Sequence, residues 1–139
     1  MLVKNYYSVI NSAFSGKLTK IKEIANGREE SINGLVARNE DSVLLRYGSG
    51  DTAASVDDYK LSEEIATVRG TVVQTETSVS VIGVIVNTGS ERIVIKELGI
   101  SEDIKVYADY YNVLFSRTVL DEPIELLPGD IISINTQFA

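Results

Sequence analysis

The sequence predicts an all-β fold, an antiparallel β-sandwich or jelly-roll-like domain with a short N-terminal helix and an irregular arm. Three observations carry this expectation. Runs rich in Val, Ile, Thr and Tyr recur at short spacing from residue 43 onward, and such side chains suit a pleated surface. Gly, Asn, Asp and Pro punctuate the runs, as turns between antiparallel strands require. Helical periodicity is confined to one stretch near the start. On this pattern residues 1–43 form the helix and arm, and residues 44–139 the sandwich domain.

In residues 4–15, Tyr6, Ile10 and Phe14 fall four apart beside Val9 and Ala13, which makes one helical stripe. Asn5 is the expected N-cap and Gly16 the expected stop. A helix this short is marginal alone. The stripe therefore predicts docking, either on the chain's own sheet or on a neighbouring subunit, with Tyr6, Ile10 and Phe14 as assembly contacts. Residues 18–24 read as a short strand closed by a turn at Asn26-Gly27. Residues 28–42 are polar and weakly patterned, with Asn33-Gly34 as another turn. The arm 17–43 is too polar to build a core and too long for an ordinary connection. It suits a segment ordered by a partner chain through strand addition, the alternative being an arm folded back on its own domain.

Val43 to Tyr47 reads as a strand ending at Gly48, followed by a small polar loop over 48–54 and a turn capped by Ser55. Residues 65–75 lead into Val79–Val86 and 92–98, which flank Asn87-Thr88-Gly89-Ser90 and predict a central hairpin. Because Val79–Val86 is apolar on both faces, it is expected to be covered on both sides. Residues 104–108, 111–120 and 131–138 complete the strands, with Pro128-Gly129-Asp130 turning the chain before the last.

Composition excludes several functions. A chain of 139 residues, 44% hydrophobic, with mean hydropathy +0.06, fits one globular domain. Its net charge of −7 and pI near 4.6 argue against nucleic acid and against an anionic membrane as partners. Cysteine and histidine are absent, which removes disulfides, thiolate sites, the commonest general base and the commonest metal ligand. No apolar run approaches the ~20 residues of a membrane span. The opening MLVKNYYSVINSAF is interrupted by Asn and Ser and does not read as a signal peptide, so a soluble chain made in the cytosol is expected. The GSGD loop lacks the lysine of a phosphate-binding loop, and Asp51, Asp57 and Asp58 do not match the spacing of an EF-hand. Neither Asp57-Asp58 nor Glu63-Glu64 makes a ready acid pair, because adjacent strand residues face opposite ways. No catalytic residue, cofactor or metal is expected.

One pair of charges stands on apolar rows. Arg117 shares a face with Val113, Phe115 and Val119, and Glu97 shares one with Ile93 and Ile95. Buried singly each would be costly, so the two are expected to form a structural ion pair. Once buried, the pair predicts that Glu97→Ala alone destabilises by about 3–5 kcal/mol and that a double apolar replacement costs much less.

The stretches YGSGDTAASVDDYKL (47–61), VNTGSERIVIKELGI (86–100) and LFSRTVLDEPIELLPGDIISI (114–134) resemble, in this order, a family of small virion proteins of tailed bacteriophages. The opening NYYSVINSAFSG is similar to that family's first segment, whereas Ala53-Ala54 stand where the family often has two prolines. The resemblance implies a non-enzymatic structural protein present in many copies on the virion, after synthesis in the host cytoplasm. Its implied partners are other virion proteins and further copies of itself, in a trimer or ring. A head accessory role (capsid decoration, head fibre or collar) is the first expectation, and a tail or baseplate adsorption protein the second. A carbohydrate-binding module is a third, with a host-surface glycan as partner. The absence of Trp weighs against it, and Tyr107, Tyr110 and Tyr111 are the one tyrosine cluster available.

Overall fold

The computed structural model describes residues 1–34, 37–38 and 42–137. Positions 35, 36 and 39–41 of the predicted arm, and Phe138 at the end of the predicted last strand, lie outside the described residues. One helix, α1 (Lys4–Ser15), is followed by β1 (Thr19–Lys22), β2 (Glu29–Ile32), β3 (Ala37–Arg38), β4 (Leu44–Gly48) and β5 (Glu64–Arg69). Then come β6 (Thr71–Gln74), β7 (Val79–Val86), β8 (Ile93–Val106), β9 (Asp109–Leu126) and β10 (Ile131–Gln137).

The strands make an antiparallel sandwich, and every pairing described is antiparallel. In the larger sheet β8 lies between β9 on one side and β4 and β3 on the other, with β5 beyond β4. The smaller sheet has the order β10-β7-β6. The chain changes sheets at Gly70, between β5 and β6, where the Gly70 amide donates to the Val43 carbonyl at 2.8 Å. Leu45, Tyr47, Ile95 and Leu98 of the larger sheet meet Ile85 and Ile134 of the smaller one in the shared core. The sheets approach closely at Gly83, where a Cβ would stand 2.6 Å from Leu45 Cδ2 and 3.0 Å from Val68 Cγ2.

The predicted central hairpin does not form. β7 is the middle strand of the smaller sheet and β8 belongs to the larger one, so 87–92 is a crossover between sheets. Asn87 fixes that crossover. It is 1% exposed, and its Nδ2 donates to the carbonyls of Glu91 (2.8 Å) and Leu126 (2.9 Å). The true hairpin is β8–β9, turned by Tyr107-Ala108 between the paired Val106 and Asp109, with Tyr107 at φ 56°. Nor is β7 covered on both sides. Val81, Gly83 and Ile85 face the core, while Val84 (52%) and Val86 (42%) look outward.

The N-terminal segment is built into the larger sheet. Leu2 bridges Ser116, the Arg117 amide donates to the Met1 carbonyl, and Val3 is buried with Leu61 and Leu114. Helix α1 then covers the half of β8–β9 nearer the turn, Tyr6 meeting Phe115 edge to face at 6.1 Å. Its N-cap is Val3 rather than Asn5, and Gly16 closes it in the left-handed region at φ 67°. Asn5 is buried instead, spanning the Lys22 backbone with both side-chain amide atoms. Between residues 17 and 34 the arm is a β1–β2 hairpin seated on its own chain, with Ile21 and Ile32 in one cluster with Ile104, Val106, Tyr111 and Val113. Strand patterning underestimated this segment because only Ile21 and Ile32 of its two short strands are buried apolar residues.

Candidate functional site

Glu97 and Arg117 meet beneath the loop that joins β4 to β5. Gly48 pairs Glu97, which pairs Val119, while Arg46 pairs Gly99, which pairs Arg117, so the two charges are diagonal neighbours on one face. That face is not the one that carries Ile95. A bulge between Ile95 and Glu97 shifts the alternation, sending Leu98 into the inter-sheet core and Glu97 to the opposite side. Arg117 Nε and Nη2 both lie 2.9 Å from Glu97 Oε2, and the two residues are 1% and 0% exposed.

The pair is the centre of a larger network. Glu97 Oε1 accepts the amides of Glu63 (2.7 Å) and Gly50 (3.2 Å), and Oε2 accepts that of Ser62 (3.0 Å). Arg117 Nη1 donates to Asp58 Oδ2 at 2.9 Å and Nη2 to the Thr52 carbonyl at 2.8 Å. The loop is thereby tied to the sheet at both its ends. Burial pushes the Glu97 carboxyl up, but the amides of Glu63 and Ser62 and the Arg117 guanidinium outweigh it and hold the group below the ordinary value of 4.5. For Arg117, burial works against the charge, and Asp58 and Glu97 together reverse it, raising its affinity for the proton.

The glycines of GSGD acquire a role here. A Cβ at Gly48 would meet the Glu63 carbonyl oxygen and stand 2.6 Å from Glu97 Oε1, and one at Gly50 would meet Ser62 Oγ and stand 2.7 Å from the same oxygen. They admit a carboxylate against the backbone, with the anion supplied by the protein itself.

A second buried arginine escaped the sequence reading. Arg46, 8% exposed, donates through Nε to Ser101 Oγ (2.7 Å), through Nη1 to Glu64 Oε1 (2.8 Å) and through Nη2 to Asn112 Oδ1. Its signal was present, since it is a charge inside the apolar run VLLRY. The acids weighed for catalysis or calcium do not converge: Asp51 faces Lys96 (3.3 Å), Asp58 holds Arg117 and Glu64 holds Arg46. Among the described residues no group of three or more His, Cys, Asp or Glu is placed to hold a metal, and no helix is long and apolar enough to cross a membrane. A cleft of about 230 Å³ opens over the network between Thr52, Asp58, Tyr59 and Arg117, but the guanidinium's donors already point at protein acceptors. Chemically the arrangement is an ionic clamp on a loop.

The three helix residues expected to dock divide. Tyr6 packs inward, Ile10 is 38% exposed and Phe14 is 87% exposed. The inward face is Asn5, Tyr6, Val9 and Ser12. Of the tyrosine cluster, Tyr111 is buried and donates to Glu30 at 3.1 Å, whereas Tyr107 (94%) and Tyr110 (49%) are exposed at the β8–β9 turn. The fold and this clamp define a small antiparallel β-sandwich with a pinned loop. Comparison with protein-family models, with curated proteins and with solved structures finds no match.

Proposed function

We propose that this chain is a non-enzymatic structural protein of a tailed-phage virion, a head accessory component present in many copies. The motifs quoted above supply the family reading. The observation that carries it further is large apolar side chains turned outward on two sides: Phe14 (87%) and Leu18 (69%) on one, Ile131 (68%) and Val84 (52%) on the other. Large apolar side chains left exposed in groups on a small domain fit contact with other proteins. The buried arginines and carboxylates are consumed in holding loops to strands, which fits a load-carrying domain better than a reactive one. The test is imaging of the intact particle that encodes the chain. Density for the sandwich on the head supports this reading, density on the tail moves the role to adsorption, and absence of the chain from purified particles by mass spectrometry overturns both. The exposed Tyr107 and Tyr110 favour a second role, contact with a host-surface glycan. Glycan-array binding that is lost in Tyr107→Ala/Tyr110→Ala would support it.

A further inference from the structure

Charge is unevenly placed along this chain, and the fold gathers the unevenness into two faces. Residues 1–22 hold four lysines and no carboxylate, whereas residues 23–139 hold nine Lys or Arg against twenty Asp or Glu. The basic segment is α1 with β1. Along its outer side run the exposed Tyr7, Ile10, Phe14 and Leu18, with the exposed Lys17 and Lys20 beside them and Lys4 at 4.0 Å from Asp57. This face lies over the turn half of β8–β9, where Tyr6 meets Phe115.

The other end of β9 is its opposite in sign. From Phe115 to Leu126 the hairpin advances about 25 Å, because the β8 residues opposite run only from Ser101 to Ile93 at ~3.3 Å per residue. There Leu126 pairs Ile93, and Asn87 draws the crossover and the turn before β10 together, its amide donating to the Asp130 carbonyl at 2.9 Å. Val84, Val86, Leu127 and Ile131 are exposed at this end, Val86 and Ile131 as a direct pair. Beside them in the chain stand the exposed Glu91, Glu125 and Asp130, with the exposed Asp121 and Glu122 further back in the bulge of β9. The single cation within 84–95 and 119–131 is Arg92, held by Glu125 at 3.3 Å.

We infer that these two faces dock on each other between copies of the chain, the basic helix face of one on the acidic sheet end of the next. Each face has an apolar centre and a charged rim, the usual build of a protein contact, and the rims are complementary. Pairing like faces would set lysines against lysines or carboxylates against carboxylates, which is costly. A contact between two different faces is heterologous, so it repeats from copy to copy and closes into a ring or continues as a filament. The inference deepens the multi-copy reading and rests on it for a high local density of copies. It is tested on the isolated chain, whereas particle imaging tests that reading, so the two can fail separately.

The measurement is sedimentation or light scattering of the full chain over a concentration series at low and high salt. Two double variants are needed, Lys17→Glu/Lys20→Glu and Glu91→Lys/Glu125→Lys, all at exposed positions and each checked for fold by circular dichroism. Wild type should self-associate, and less so in salt. Each variant alone should associate at least about tenfold more weakly. An equimolar mixture should recover association, because the acidic helix face of one variant then meets the basic sheet end of the other. A wild type that stays monomeric throughout overturns the inference, as do variants that associate like wild type or a mixture no better than its components.

Discussion

Glu97 shows why a buried ion pair is a poor unit of account. Two charges alone could be replaced together by apolar side chains at small cost. Here the carboxylate also accepts the amides of Gly50, Ser62 and Glu63, and Arg117 also holds Asp58 and the Thr52 carbonyl. Glu97→Ala is expected to destabilise by about 3–5 kcal/mol in chemical denaturation. The double replacement Glu97→Leu/Arg117→Leu should recover little of that, since the loop amides lose their acceptor in both proteins. A double variant near wild-type stability would show that the loop finds other partners. The same contacts set a pH dependence. Because the folded carboxyl is held below its unfolded value of 4.5, its contribution is complete above that pH and is lost as pH falls through the folded value. The melting temperatures of wild type and Glu97→Gln should therefore differ most at neutral pH and converge as pH drops below 4.5. A gap that stays constant into strong acid would contradict this.

At the scale of elements, α1 presents two apolar faces with different work. Tyr6 lies on Phe115 and Val9 borders the same cluster, while Phe14 is 87% exposed. Tyr6→Ala should cost about 2 kcal/mol or more, whereas Phe14→Ala should change stability by less than about 0.5 kcal/mol. Thermal denaturation of the two variants distinguishes them, and equal losses would mean that the outer face packs on the chain itself. The four-residue spacing of Tyr6, Ile10 and Phe14 was legible as a helix but not as a direction. A stripe at that spacing drifts around the helix, so its first member faces inward and its last outward. The β8–β9 hairpin was illegible for another reason. Its turn is Tyr107-Ala108, with neither Gly nor Asn at the positive φ, so the usual turn signal was missing.

For the whole molecule, the N-terminal segment is structural before it is anything else. Met1 and Leu2 bond along β9 and Val3 fills the cluster with Leu61 and Leu114. Deleting residues 1–16 should lower the melting temperature sharply and expose the Phe115 cluster, read as dye binding and aggregation. A truncated chain that melts like wild type would show the sheet to be self-sufficient. Where the deletion only loosens assembly, the outer face of α1 is the part that mattered.

The sequence by itself determined the class of fold and most of its strands, because side-chain stiffness and alternation act locally and need no partner. Leu44–Gly48, Val79–Val86 and Ile131–Gln137 could be read that way, as could the helix Lys4–Ser15. It also singled out Glu97 and Arg117, since a charge on an apolar row is visible without knowing what lies opposite. Only the tertiary structure decided which strands pair, that β7 and β8 part into different sheets, and that a bulge before Glu97 turns it away from the inter-sheet core. Those outcomes depend on contacts between residues far apart in the chain, such as Asn87 with Leu126 and Glu97 with Ser62. No local pattern records them, because their free energy exists only once the two segments have met.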